Sequence, residues 1–168
     1  MIRKQKNDRE TKNKNRSASA YDEALAYLTP KSRTVREVEN RLDECDHSEM
    51  EIFEAVERLK AAGLLDDKKY AEDFIESRLN TKPVSKMKLR EQLLGHFIEP
   101  DTVDDALERV DAQTELCNAR AVAEKYFRQF AGLELPERLR RVGLRLTSRG
   151  YSYDDVKTVL AELGEYAE

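Results

Sequence analysis

A row of arginines near the C-terminal end of the chain is the feature whose residue types and spacing best suit binding chemistry. Residues 138–149 contain five arginines and no acidic residue: Arg138, Arg140, Arg141, Arg145 and Arg149. On a helix, this spacing places all but Arg140 along one side. A guanidinium group binds a carboxylate or a phosphate through two parallel hydrogen bonds. The row therefore predicts a surface that docks an acidic protein or a phosphate backbone, with an ordinary solvated helix face as the alternative.

Two other basic segments add to this positive charge. A smaller cluster contains Lys82, Lys86, Lys88 and Arg90, of which Lys86 and Arg90 are candidate partner-binding residues. Residues 1–17 hold seven basic and two acidic residues, a net charge of +5 in a chain whose overall charge is -4. This tail has almost no apolar residues after Ile2, so burial cannot offset the entropy of ordering it, and disorder is predicted. It is expected to contact nucleic acid or an acidic partner, or to act only as a solubilising segment.

The remaining polar residues show no pattern typical of an enzyme or a metal centre. The sequence has no glycine-rich phosphate loop, no HExxH and no Ser or Cys nucleophile beside a plausible base. The paired carboxylates Asp66–Asp67 and Asp104–Asp105 fall in the first turn of predicted helices, where acids are favoured anyway. Cys45 and His47 lie close in sequence, but no second pair stands at metal-ligand spacing. We therefore expect no catalytic residues, no metal and no cofactor.

The elements that position these charges are predicted to be helices, because one apolar spacing occurs three times. Leu42, Leu93 and Leu146 each have an apolar residue four positions before them and others 10, 14 and 17 positions after them. The copies are 51 and 53 residues apart, a distance typical of tandem structural repeats. These intervals place the apolar residues on one face of two consecutive amphipathic helices. A further helix precedes each pair, at about residues 20–28, 67–79 and 113–130, and each ends near a proline.

Helix-start signals recur at the same repeat position. Ser48 with Glu51 forms a capping box, Ser152 with Asp155 is a looser version, and Pro100 suits the first helical position. We predict an all-α protein, in which three tandem three-helix repeats form an elongated array after a disordered basic N-terminal tail. The predicted boundaries are residues 1–17 for the tail and 18–66, 67–112 and 113–168 for the repeats.

The composition is typical of a water-soluble helical protein. Charged residues make up 38% of the chain and hydrophobic ones 39%, with no Trp. No apolar run approaches the roughly 18 residues that a membrane span needs, and the basic N-terminus has no signal-peptide apolar core. We expect a cytoplasmic monomer that does not enter membranes.

The junction between the first two repeats carries a recognisable signature. A glycine and an apolar pair precede two aspartates, an aromatic–alanine pair, a further aromatic and an arginine: Gly63, Leu65, Asp66, Asp67, Tyr70, Ala71, Phe74 and Arg78. This signature resembles that of the RecX family, bacterial regulators of the RecA recombinase, and the resemblance covers roughly residues 20–164. Family members are similarly built from tandem three-helix repeats. The resemblance implies a non-enzymatic regulator that binds RecA, in particular its filament on single-stranded DNA, and negatively modulates its recombination, ATPase and co-protease activities.

Most of the signature also has a structural explanation. Gly63 can take a left-handed conformation and end a helix, either aspartate can cap the next one, and the aromatic and alanine positions form a buried face. Arg78 either pairs with a neighbouring acid or faces the partner. The family favours a glycine in the turn of a helix pair, and this chain keeps it only at Gly150, with Asp46 and Phe97 at the other two places.

Two other functions fit the same residues. A protein that binds nucleic acid directly would use the tail and Arg138–Arg149 for weak contacts with DNA, and its affinity would depend strongly on salt. A helical scaffold with an unrelated protein partner would need neither segment for DNA. Binding only in the presence of RecA would favour the regulator over both alternatives.

Overall fold

The computed structural model describes residues 18–166, and within that range it contains nine α-helices and no strand. In chain order the helices are α1 (Ala20–Leu28), α2 (Val35–Glu44), α3 (Glu49–Ala61), α4 (Asp67–Thr81), α5 (Lys86–Gly95), α6 (Pro100–Leu107), α7 (Ala112–Gln129), α8 (Leu135–Thr147) and α9 (Tyr153–Glu165). The predicted all-α class is confirmed. The disorder predicted for residues 1–17 concerns a segment outside the described range. None of these helices is both long enough and apolar enough to cross a bilayer.

Contacts divide the chain into two compact units. The first comprises the described residues up to Tyr70 together with His96–Ile98, and the second comprises Ala71–Gly95 together with the described residues from Glu99 onward. In the first unit, α1, α2 and α3 pack around one apolar core: Ala24, Val38, Leu42, Val56 and Leu59. In the second unit, α7, α8 and α9 enclose another: Ala119, Ala123, Val142, Leu146 and Val159. The three leucines that define the sequence repeat, Leu42, Leu93 and Leu146, are all 0% exposed.

Side-chain caps begin several of these helices. The capping box predicted at the start of α3 is present, because Ser48 Oγ accepts a hydrogen bond from Glu51 N and Glu51 Oε2 accepts one from Ser48 N. Ser152 caps α9 as predicted. A second capping box, formed by Thr34 and Glu37 at the start of α2, was not identified from the sequence. These local bonds satisfy backbone donors that the helices leave exposed.

The turn inside each helix pair has a left-handed residue at the same repeat position. The φ angle is +61° at Asp46, +62° at Phe97 and +85° at Gly150, and each residue lies four positions after its repeat leucine. Asp tolerates this conformation, whereas a bulky aromatic residue rarely adopts it. The backbone of the turn therefore repeats even where glycine is absent from the sequence.

Candidate partner-binding cleft

A cleft of about 400 Å³ in the second unit is lined by basic residues that lie far apart in the sequence. Helices α4, α5, α7 and α8 and the segments that follow α4 and α8 supply its walls: Arg78, Lys82, Val84, Lys88, Gln92, Tyr126, Arg145, Ser148 and Arg149. Five of these nine residues are cationic and none is acidic. The folded chain therefore concentrates positive charge at a place that no single sequence segment specifies.

Hydrogen bonds between two distant segments hold the cleft walls together. Arg149 Nη1 donates to Pro83 O at 2.9 Å, and Ser85 N donates to Arg149 O at 3.1 Å. Ser85 is fully buried, and its Oγ accepts a hydrogen bond from Lys88 N at the start of α5. A Cβ at Gly150 would lie 2.6 Å from that Oγ, and φ there is +85°. Glycine is therefore required where the turn after α8 meets the start of α5.

Four of the five cations of the cleft have no carboxylate partner. Within residues 18–166, Arg78, Lys82, Arg145 and Arg149 form no ion pair. The guanidinium carbon of Arg78 lies 5.2 Å from the centre of the Phe74 ring, and that of Arg145 lies 5.5 Å from the centre of the Tyr126 ring. These aromatic contacts restrict the side chains without neutralising them. The positive charge stays available to an anionic group.

The phenol of Tyr126 responds to this positive charge. Its Oη accepts a hydrogen bond from Arg149 Nη2 at 3.0 Å, and this bond is the main cause that lowers the pKa of Tyr126. The charges of Arg149 and Arg145 lower it further. Among the cations that line the cleft, Lys88 alone has a carboxylate partner in the described residues, because its Nζ lies 2.6 Å from Glu91 Oε2. A site that favours a phenolate also favours a carboxylate or a phosphate placed beside it.

The N-terminal end of the arginine row is partly neutralised by an acid. Arg140 Nε and Nη2 donate to the two carboxylate oxygens of Glu137 at 2.7 and 2.9 Å, and Arg141 Nε donates to Glu137 Oε1 at 2.7 Å. Arg140 and Arg141 together lower the pKa of Glu137 to about 2. Residues 138–149 contain no acid, but Glu137 lies one residue before the first arginine and pairs with two members of the row.

The other arginines of the row also differ from one another. Arg138 Nε donates to Phe127 O at 2.6 Å, and its guanidinium carbon lies 3.4 Å from the centre of the Phe127 ring. This contact ties Arg138 to α7. Arg145 and Arg149 are the members of the row that line the cleft. One sequence pattern therefore serves two purposes, internal pairing at one end of α8 and cleft formation at the other.

The remaining predicted contact residues, Lys86 and Arg90, lie in a different groove of the second unit that also contains several acids. Arg90 Nε and Nη2 donate to the carboxylate oxygens of Asp104 at 2.7 and 3.2 Å, which lowers the pKa of Asp104. Lys86 Nζ donates to Val110 O at 3.0 Å. The structure does not bring these two residues to the cleft. The other two members of the same sequence cluster, Lys82 and Lys88, do line it.

The first half of the family signature joins two helices. Gly63 follows α3 with φ +68°, and Asp66 caps α4 by accepting a hydrogen bond from Lys69 N at 3.0 Å. Asp67 has a different role, because its Oδ1 accepts from Val35 N at 2.9 Å at the start of α2. Burial is the main cause that raises the pKa of Asp67. Of the two aspartates considered as caps for α4, the structure selects the first.

The other residues of the signature pack into the protein, except for the last one, Arg78. Leu65 and Ala71 are buried, whereas Tyr70 and Phe74 are half-buried. Arg78 lies over the Phe74 ring and reaches the cleft. The signature is therefore mainly structural, and Arg78 is the residue that it contributes to the candidate site.

Two cleft residues were missed by the sequence analysis. Tyr126 lies outside the basic segments, but in residues 125–128 two aromatic side chains stand between two cationic ones in the order Lys-Tyr-Phe-Arg, which was an available signal. Gln92 gave no signal. Its side chain lines the cleft, and its buried Oε1 has no hydrogen-bond partner within the described range.

Fold and site together define an all-helical repeat protein with a cationic cleft. Three family models match consecutive parts of it: the first three-helix domain of RecX over residues 20–59, the second over residues 66–107 and the third over residues 113–160. The chain belongs to the RecX family of regulatory proteins. The predicted three-helix repeats are thereby confirmed.

Similarity to individual proteins supports the assignment to this family. Regulatory protein RecX of Chlorobaculum tepidum is 30% identical over 151 residues, which cover 89% of this chain and 92% of that protein. Regulatory protein RecX of Limosilactobacillus reuteri is 28% identical over 135 residues, and the match covers 80% of this chain but only 51% of that protein. The chain thus spans about half the length of the latter relative. The crystal structure of RecX from Lactobacillus salivarius is similar with a TM-score of 0.74 and 28% identity, covering 86% of this chain and 94% of that one.

Proposed function

We propose that this protein binds the RecA recombinase, as its filament on single-stranded DNA, and lowers its recombination, ATPase and co-protease activities. Membership in a family of regulatory proteins supports a regulatory role. The observation that carries the contact site is the convergence in one cleft of Arg78, Lys82 and Arg145, none of which has a carboxylate partner among residues 18–166. The protein acts by binding RecA and not by catalysing a reaction. It does so in the cytoplasm and as a monomer.

The cleft suits an acidic protein surface for energetic reasons. Its walls are fixed before binding, because Arg149 and Ser85 connect them, so little conformational freedom is lost when a partner docks. A hydrogen bond to a charged group contributes about 1.5–3 kcal/mol. Two such bonds change an affinity by at least tenfold, since each factor of ten corresponds to about 1.4 kcal/mol. Charge complementarity also speeds the encounter and disfavours basic partners.

Direct binding of single-stranded nucleic acid is a second candidate function, and one observation favours it. The Tyr126 ring stands among the cleft cations, and it stacks on Phe130 with 6.1 Å between ring centres. Cations that follow a phosphate backbone beside an aromatic ring are typical of proteins that bind single strands. In this case Arg138–Arg149 and the basic tail would act together on DNA.

A recombinase ATPase assay on single-stranded DNA tests the leading proposal. Titrating the purified protein into RecA filaments should lower ATP turnover in a saturable way. In parallel, fluorescence anisotropy with naked single-stranded DNA measures direct binding over a range of salt concentrations. Unchanged ATP turnover at saturating protein would contradict the leading proposal. Tight, strongly salt-dependent binding to naked DNA together with unchanged turnover would favour the second candidate.

A further inference from the structure

The first unit has an open groove of about 410 Å³ between α2 and α3, and part of its lining is apolar. Ile52, Phe53 and Val56 line this part of the groove. Phe53 is 63% exposed, and Met50, one helical turn before it, is 65% exposed. Large apolar side chains that lie together at the surface mark a place where another segment binds.

The charged part of the groove lining is mostly acidic. Its charged residues are four carboxylates and two bases: Glu39, Asp43, Glu49, Glu57, Arg36 and Lys60. Arg36 pairs with Glu39 at 3.0 Å, and Lys60 pairs with Glu57 at 3.0 Å. The bases are thus already used, and Asp43 and Glu49 form no ion pair within the part of the chain that the structure describes. The groove therefore favours an occupant that is cationic and also carries an apolar group.

We propose that this occupant is the chain's own basic segment, residues 1–17. The segment has a net charge of +5, and Met1 and Ile2 at its far end are apolar. It leads directly to α1, which packs on both α2 and α3. Fully extended, 17 residues span about 56 Å, whereas packed helices lie only about 8–10 Å apart. The segment is therefore long enough to pass around the three-helix unit and reach the groove.

The covalent connection makes even a weak contact effective. An intramolecular segment acts at an effective concentration in the millimolar range, so no large interface is needed. Arginine and lysine side chains can also stack on the exposed Phe53 ring, a contact of about 0.5–1 kcal/mol at an exposed site. Docking would place the seven basic residues of the segment against acids of the same molecule. It would thereby compete with any use of these residues on nucleic acid.

Paramagnetic relaxation in the full-length protein tests this proposal. A nitroxide is attached at Asn7→Cys in a Cys45→Ser/Cys117→Ser background, and ¹⁵N amide signals are recorded at low salt. We expect the strongest broadening at residues 49–57, with a loss of at least threefold in relaxation enhancement at 0.5 M salt, where the Debye length falls to a few Å. Asp43→Asn/Glu49→Gln and Phe53→Ala should each reduce the enhancement by a similar factor. The control Asp73→Asn/Glu76→Gln removes the same charge from exposed positions of the second unit and should leave it unchanged.

Three results would overturn the proposal. The first is broadening centred on another surface, and the second is equal sensitivity to the groove variant and its control. The third is broadening of residues 49–57 that persists when spin-labelled ¹⁴N protein is mixed with unlabelled ¹⁵N protein, which would assign the groove to the tail of a second copy. Amide spectra of each variant establish that it is folded. None of these measurements involves RecA, so their outcome is independent of the proposed function.

Discussion

The two ends of α8 carry the same residue type and differ in what surrounds it. At the N-terminal end, Arg140 and Arg141 share the carboxylate of Glu137. At the C-terminal end, Arg145 lies beside the Tyr126 ring without an ion pair in the described residues, and Arg149 connects α8 to the segment before α5. At the first end an acid of the same helix offsets part of the positive charge, whereas the charge at the second end faces the cleft without such an acid.

This difference shows that helical spacing alone does not identify a binding row. An arginine that already has a carboxylate partner must give up that pair before it can bind another, so the gain on binding is small. An arginine without a partner loses no internal pair. A binding residue is therefore better identified by the absence of an ion pair than by its spacing. On α8, Arg145 has no ion pair in the described residues, whereas Arg141 pairs with Glu137.

Removing the buried side chain that anchors α8 should have the largest effect on stability. Leu146 is 0% exposed on the inner face of α8, and Leu146→Ala should lower the free energy of unfolding by about 2–5 kcal/mol. Leu144 lies on the same helix but is 57% exposed, so Leu144→Ala is a matched control with an expected change below about 0.5 kcal/mol. Denaturant titrations of the two variants measure the difference. Equal midpoints would mean that α8 is not held by its predicted buried face.

A substitution at Gly150 should affect the C-terminal end selectively. Gly150→Ala combines a left-handed φ with a Cβ that would lie 2.6 Å from Ser85 Oγ and 3.2 Å from Lys88 Cβ. We expect a loss of about 2 kcal/mol, the sum of backbone strain and local overpacking. Thermal unfolding measures this loss, and amide exchange should show faster opening at the start of α5. Wild-type protection there would contradict the described connection between the two segments.

The pKa of Glu137 reports directly on the N-terminal end. Its pKa is about 2, below the ordinary value of 4.5, because Arg140 and Arg141 stabilise the carboxylate. A lowered folded-state pKa contributes stability above pH 4.5 that is lost as the pH falls toward 2. In Arg140→Gln/Arg141→Gln, the pKa of Glu137 should return to its ordinary range in a ¹³C NMR titration. A pKa that stays near 2 would show that these arginines are not its partners.

Phe97→Gly should have the smallest effect, and it calibrates the backbone cost assumed for Gly150. Phe97 occupies the equivalent turn position with φ +62° and is 58% exposed. Glycine relieves the left-handed strain but adds entropy to the unfolded chain, so we expect a gain of at most about 1 kcal/mol. Chemical denaturation measures the change. A marked loss of stability would mean that the Phe97 side chain makes contacts that outweigh the strain.

The sequence predicted those parts of the structure that depend on neighbouring residues. The spacing around Leu42, Leu93 and Leu146 located the helix pairs, because buried faces recur at helical intervals. Capping at Ser48 and Ser152 involves residues three positions apart, so it was also predictable. The cleft was not, because it depends on hydrogen bonds that join Pro83 and Ser85 to Arg149 across more than 60 positions of chain.

The sequence located the charged residues of α8 but not all of their partners, and their role in binding stays a prediction. The row of arginines was identified, but Glu137 lies just before the interval considered, so its pairs with Arg140 and Arg141 were missed. These pairs join residues three and four positions apart on one helix, a spacing that the sequence does show. Tyr126 was missed because an aromatic residue half-buried in a helix looks like any core position until its neighbours are known. The sequence repeat also could not show that Asp46 and Phe97 adopt the backbone of a glycine turn.

The central claim is that only the unpaired cations bind the partner, and one comparison of affinities tests it most directly. Lys82→Gln/Arg145→Gln and Arg140→Gln/Arg141→Gln each remove two positive charges, the first pair from the cleft and the second from the end of α8 where both arginines share Glu137. Affinity for RecA filaments on single-stranded DNA is measured by surface plasmon resonance, after circular dichroism has established that both variants are folded. We predict at least a tenfold loss of affinity for the cleft variant, corresponding to two contacts of about 1.5–3 kcal/mol each, and a change of no more than about twofold for the other. Equal losses, or a larger loss for Arg140→Gln/Arg141→Gln, would contradict the account.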